Sequence, residues 1–261
     1  MDAAAVAPRR GESPPARRPG QAPVVRDGDL RRRLLELLAV EERPRMTYEE
    51  FLAWADEDTL AEWVDGEVVM YSPASLRHQE INGFLSQVIG LYVEQQKAGQ
   101  VLLPPFQMKL DALHGREPDL LFVATEHLDR LRNTYLDGPA DLVIEITSSE
   151  SLARDRGEKF YEYAQGGVPE YWLIDPDAQW AEFYHLGEDR RYRPAFVGAE
   201  GIYRSRVLPG FWLRVEWLWQ EPLPHPLRAL GEIAGLEPQV VERFLQALAG
   251  SAETLPSTAN P

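Results

Sequence analysis

The period of the hydrophobic pattern changes several times along this chain, and each change marks an element. From Leu76 to Lys97, Ile81, Leu85, Val88, Ile89 and Tyr92 recur at the spacing of one helical face, with Gly99 as the closing signal. In "MTYEEFLAWAD", Thr47 and Glu50 form a capping box that opens an earlier helix. "AEWVDGEVVMYS" alternates with period two around Asp65-Gly66, which predicts a hairpin. "VLLPPFQMKLD" and "EPDLLFVA" are predicted as strands joined by the polar loop "ALHGR". A strand "DLVIEIT", a helix through "RDRGEKFYEYAQ" and strands "EYWLID" and "WAEFYHL" follow. The stretch from "YRPAFVG" to "FWLRVEWLW" is predicted as further hairpin strands. Strands interleaved with helices predict an α/β or α+β fold, with a central mixed sheet flanked by helices, over residues 46–219.

The flanking segments differ. Residues 1–27 are rich in Pro, Arg, Ala and Gly without periodicity and are expected to form a disordered arm. Leu30, Leu34, Leu37 and Leu38 predict a short helix over 28–45, ended by Pro44. Residues 220–261 are expected to hold two short helices, "PLRALGEIAGL" and "PQVVERFLQALAG", and a frayed tail.

Composition narrows the chemistry. The 261 residues are 44% hydrophobic, enough for a sizeable core, yet no apolar run is long enough to span a bilayer. No secretory signal is expected, and the absence of cysteine suits a reducing cytoplasm. It also excludes disulfides, thiolate zinc sites and cysteine nucleophiles, so any metal must be held by oxygen or imidazole ligands. A net charge of −15 argues against tight, unspecific binding to nucleic acid, whose affinity comes largely from phosphate neutralisation.

Within "DLVIEIT", Leu142, Ile144 and Ile146 share one face, and Asp141, Val143, Glu145 and Thr147 share the other. A carboxylate at Glu145 needs a partner, because burying it unpaired costs several kcal/mol. In "EPDLLFVA", Pro118 suits a strand start and Asp119 shares a face with Leu121 and Val123. If these strands pair, Asp119 and Glu145 meet near one end of the sheet. Two readings then stand open: structural salt-bridging, or a divalent cation such as Mg²⁺ held by the two acids. Asp155, Lys159 and Tyr163 at i, i+4 and i+8 put Lys159 either in a solvated pair with Asp155 or toward the acids, where an ammonium could stabilise an attacked phosphodiester. Tyr163 and Tyr171 are expected to pack, as are Trp212, Trp217 and Trp219. His114, His127, His185 and His225 show no metal-ligand spacing, and no phosphate-binding glycine loop is present.

"EWVDGEVVMYSPASLRHQ", "REPDLLFVA", "DLVIEITSS" and "DRGEKFYEYAQGGVPEYWLIDP", in this order, resemble the bacterial Uma-type restriction endonuclease family of the PD-(D/E)XK nuclease superfamily. The resemblance covers residues 46–219. It implies a restriction-endonuclease-like core, Mg²⁺- or Mn²⁺-dependent hydrolysis of DNA, Asp119 and Glu145 as metal ligands, and Lys159 as the migrated motif lysine. Thr147 occupies the position where the superfamily usually has that lysine. Glu67 and His78 are implied to border the cleft. A homodimer is expected, since two sites cut two strands. The rivals are a nuclease-fold binding or regulatory module without turnover, and metal-free acid–base hydrolysis by the two carboxylates.

Overall fold

Thr47 opens helix α1 (Tyr48–Trp54) through the expected reciprocal cap. Its hydroxyl accepts from Glu50 N at 3.2 Å, and Glu50 Oε2 accepts from Thr47 N at 2.7 Å. The structure, a computed structural model, describes residues 46–55, 61–64, 66–70, 74–111, 114–148 and 151–250. The arm expected over 1–27, the helix over 28–45 and the tail beyond 250 lie outside the described residues. Strands β1 (Ala61–Val64) and β2 (Glu67–Met70) form the predicted hairpin, with Val64 opposite Glu67 and Gly66 at φ 83°.

Helix α2 (Leu76–Gln96) starts at Ser75, whose hydroxyl accepts from His78 N at 3.1 Å. It buries Ile81, Phe84, Leu85, Val88, Ile89 and Val93. Its left-handed cap is Lys97 (φ 52°) rather than Gly99. Gly99 instead begins β3 (Gly99–Leu102), where an added Cβ would lie 2.0 Å from Val123 O. The close approach of two strands, not helix termination, requires the glycine there.

The run 101–111 is not one strand. Pro104 and Pro105 lack the N–H groups a ladder needs, so β3 ends before them and β4 (Gln107–Lys109) joins a different sheet. The predicted loop 112–116 is corrected as well: β5 (His114–Arg116) pairs with both β1 and β4. With β7 (Tyr135–Asp137) these strands make a five-stranded sheet in the order β2-β1-β5-β4-β7. A six-stranded sheet runs β11-β10-β9-β8-β6-β3, where β6 is Leu120–Ala124, β8 Leu142–Ile146, β9 Glu170–Asp175, β10 Trp180–Leu186 and β11 Tyr192–Gly198. All its neighbours are antiparallel except β8 and β9, so the sheet is mixed, as expected.

The two faces of this larger sheet bury different cores. Leu120, Phe122, Leu142, Ile144, Ile146, Trp172 and Ile174 pack with α2. Leu121, Val123, Val143, Tyr171 and Leu173 pack with Met108 and Leu136 of the smaller sheet. Each such aliphatic or aromatic side chain contributes roughly 1.5–3 kcal/mol on burial. The connection from β8 to β9 covers the second face. It is not one helix but two, α3 (Leu152–Asp155) and α4 (Glu158–Gly166), broken at Gly157 where an added Cβ would meet Ala153 O at 2.8 Å.

Strands β12 (Ile202–Arg204) and β13 (Trp212–Arg214) pair, but Val215–Trp219 is a 3₁₀ turn rather than strand. Trp212 stacks on Trp217 at 5.5 Å between ring centroids, and Trp217 is buried, in keeping with packing roles. The C-terminal helices α5 (Pro226–Ile233) and α6 (Pro238–Gly250) form as expected, and α5 packs Ala229, Leu230 and Ile233 against the α2 core. Among the described residues, no helix is long and apolar enough to cross a membrane.

Candidate active site

Strands β6 and β8 pair antiparallel with Leu120 opposite Ile144, and one further step along the ladder sets Asp119 opposite Glu145. The period-two reading of β8 holds: its Leu and Ile face α2, whereas Val143 and Glu145 face the α4 side. Asp119 lies one residue before β6. Its Oδ2 accepts from Ile146 N at 2.7 Å, and its Oδ1 lies 3.0 Å from His78 Nε2. The start of α2 thereby brings His78 to the carboxylates.

Glu145 is 3% exposed, and two donors converge on its Oε1: Lys159 Nζ at 3.0 Å and Tyr163 Oη at 2.6 Å. Lys159 is equally buried. Its ammonium also lies 3.0 Å from Glu62 Oε1 and 3.5 Å from Asp155 Oδ1. The Asp155–Lys159 relation survives the helix break, but it sits in the interior rather than on a solvated face. Tyr163 packs in the core as expected and also bonds Glu145, a role its apolar spacing does not reveal. Tyr171 packs beside it and donates to Asp155 O at 3.1 Å.

Glu62 and Arg116 are absent from the sequence-derived candidates. The β1–β5 register sets them opposite one another, one step beyond Trp63–Gly115. Arg116 is fully buried; its Nη1 donates to Glu62 Oε2 at 2.8 Å, and its Nε and Nη2 fork onto Glu162 at 2.6 and 2.7 Å. The one sequence signal for Glu62 is its alternation with the apolar Trp63. Glu67, expected at the cleft, sits opposite Val64 and so shares the hairpin face of Glu62. It is partly exposed, and no hydrogen bond or ion pair joins it to the cluster among the described residues.

The electrostatics follow from crowding. Burial raises the Glu145 carboxyl; Lys159 opposes this, while Asp155, Asp119 and Glu62 add to it. Burial pulls Lys159 down, but Glu145 and Glu62 outweigh it and hold the amine well above its ordinary value, firmly protonated. Burial likewise raises Asp155, and it pushes Glu117 up to about 7 with help from Glu62. His78 is drawn down by burial, yet its hydrogen bond and charge contact with Asp119 leave it raised. Around the single Lys159 ammonium stand three acids, Glu62, Glu145 and Asp155, all with buried side chains.

Among the described residues, no group of three or more His, Asp or Glu side chains is arranged to hold a metal. Two carboxylates nevertheless suit a hard cation, since Mg²⁺ commonly takes one or two of them with waters and phosphate oxygens. Asp119 and Glu145 form such a pair. Thr147 Oγ1, at the position of the expected motif lysine, is buried without a hydrogen-bond partner. The donor set fits a divalent ion that waters and substrate would complete.

Residues 48–216 match the Uma2 family, described as "Putative restriction endonuclease". The chain belongs to this family. A solved structure from Anabaena variabilis, described as "a putative nuclease belonging to DUF820", superposes with a TM-score of 0.57 at 20% identity. That likeness spans 67% of this chain and 97% of the other, and it shows a shared fold. An uncharacterized protein of Synechocystis, slr1290, is 26% identical over 151 residues, covering 56% of this chain and 77% of its own length. In this Uma2 chain the matched span contains Asp119, Glu145, Lys159, His78, Glu67, Glu62 and Arg116 together.

Proposed function

We propose that the protein is a Mg²⁺- or Mn²⁺-dependent endonuclease that hydrolyses DNA phosphodiester bonds, with the motif logic of the PD-(D/E)XK nucleases. Asp119 at the entry to β6, its carboxylate accepting from Ile146 N beside Glu145, with the Lys159 ammonium 3.0 Å from Glu145, is the observation that carries this reading. Asp119 and Glu145 would hold the ion. When bound, the ion supplies Lewis acidity at the scissile phosphate and lowers the pKa of the attacking water. Lys159 places a fixed positive charge beside the phosphate as its negative charge builds, in a site where little water screens it. Tyr163 and Ile146 N orient the two carboxylates, and His78 holds Asp119 from the other side. A homodimer would bring the second site needed to cut both strands.

A nuclease fold that binds without turnover is favoured by one observation: Lys159 is already shared among Glu62, Glu145 and Asp155. Incubating supercoiled plasmid, linear duplex and single-stranded DNA with Mg²⁺, Mn²⁺ or EDTA separates the two. Cleavage that requires metal and fails in Glu145→Gln supports the enzyme. No cleavage with either ion on any of these DNAs supports the binding module, and cleavage that persists in EDTA supports acid–base hydrolysis.

A further inference from the structure

We infer that Arg116 is a positioning residue of this site: acting through Glu62, it holds the Lys159 ammonium on Glu145. Strand register sets the first link, because Arg116 lies opposite Glu62 and donates to its Oε2 at 2.8 Å. The other oxygen of the same carboxylate, Oε1, lies 3.0 Å from Lys159 Nζ. Lys159 in turn reaches Glu145 Oε1 at 3.0 Å. The remaining arms of the Arg116 fork hold Glu162 at 2.6 and 2.7 Å, and Glu162 stands three residues after Lys159 on α4. Arg116 thus fixes both the acid that aims the lysine and the helical turn that carries it.

The placement of Arg116 is itself constrained. At Gly115, the preceding residue, an added Cβ would lie 2.4 Å from Tyr48 Cε2, so β5 runs tight against α1. A planar guanidinium is suited to join two carboxylates in fixed directions, whereas a single ammonium is not. Without Arg116, Glu62 is free to turn, and Lys159 can shift among Glu62, Glu145 and Asp155. Small displacements of a reacting group are costly, so the effect on turnover is large even though Arg116 touches no substrate.

The inference rests on the nuclease reading for its turnover measurement and not for its structural one. The chain has three lysines, Lys97, Lys109 and Lys159, so side-chain ¹⁵N-lysine spectra are simple to assign. In the full chain, Lys159 Nζ protons are expected to exchange slowly with water. Arg116→Lys keeps the charge and loses the fork; Glu162→Gln weakens the two arms that end on Glu162 and spares the Glu62 contact. Both should shift the Lys159 signal and speed its exchange about tenfold or more as the ammonium gains mobility. On plasmid DNA with Mn²⁺, kcat should fall roughly ten- to a hundredfold with KM nearly constant. If Arg116→Lys does not fold, Glu62→Gln, which weakens the carboxylate joining Arg116 to Lys159, decides on the same readouts. Unchanged Lys159 exchange and kcat in folded variants, with only a lowered Tm, would overturn the inference and leave Arg116 a structural clamp. If wild type cleaves no DNA, the nuclease reading falls, and lysine exchange still tells whether Arg116 positions Lys159.

Discussion

Lys159 and Glu145 meet at 3.0 Å with both side chains almost wholly withdrawn from solvent. A surface pair would tolerate loss of the amine at a cost under about 0.5 kcal/mol. Here Lys159→Met leaves Glu62, Glu145 and Asp155 crowded without their cation, and about 3–5 kcal/mol of stability should be lost. Chemical denaturation of the variant, compared with Arg193→Met at an exposed pair, checks this. A loss no larger than that of the surface control would remove Lys159 from the centre of the cluster.

Metal linkage should appear in the melting curve. A divalent ion at 100 times its Kd adds about 2.7 kcal/mol to a protein that binds it only when folded. Mg²⁺ and Mn²⁺ should raise the Tm of wild type, and neither should raise that of Glu145→Gln or Asp119→Asn. Equal metal responses in all three proteins would return Asp119 and Glu145 to a structural role.

Not every buried acid in the larger sheet belongs to the site. Glu170 on β9 is fully buried but satisfied: Trp172 Nε1 and Tyr203 Oη donate to its Oε1, and the backbone N–H groups of Arg206 and Val207 donate to its Oε2. Glu170→Gln should cost about 2–3 kcal/mol, because the new amide cannot accept from every donor. Its Tm rise with Mg²⁺ should match that of wild type. A lost metal response in this variant would show that the two regions are coupled.

His185 supplies a pH test away from the carboxylate cluster. Burial pulls its imidazole below the ordinary 6.5, with Glu170 opposing and Arg206 assisting. The unfolded chain therefore takes up this proton first as pH falls. The resulting loss of stability begins near 6.5 and is complete once pH is below the lowered folded value; above 6.5 it is absent. An NMR titration should place His185 below 6.5, and His185→Gln should lose less stability than wild type between pH 7 and 5. Parallel losses in the two proteins would contradict the shift.

The two acids are legible because a strand repeats every two residues. "DLVIEIT" separates Glu145 from its isoleucines without knowledge of the fold, and Pro118 marks where Asp119 stands. Helical spacing joins Lys159 to Asp155 even though Gly157 breaks the helix between them. It leaves open whether the pair is solvated or faces the acids, and only the family resemblance points it to the acids. Glu62 and Arg116 are not legible, because what joins them is a strand register linking residues 54 apart in sequence. Arg116 lay in a stretch whose polarity suggested a loop. Its charge is compatible with a buried strand only because Glu62 and Glu162 are waiting for it. The strand expected over 101–111 failed for the opposite reason: its apolar composition concealed a change of sheet at Pro104 and Pro105.

Strands β8 and β9 run parallel, and a chain cannot join parallel neighbours without crossing over the sheet. That obligatory crossing carries Asp155, Lys159 and Tyr163 across the face on which Glu145 stands. In this chain the amine that meets Glu145 comes from the crossing helix, while the strand position two residues after Glu145 holds Thr147. The architecture separates where a charge is encoded from where it is delivered.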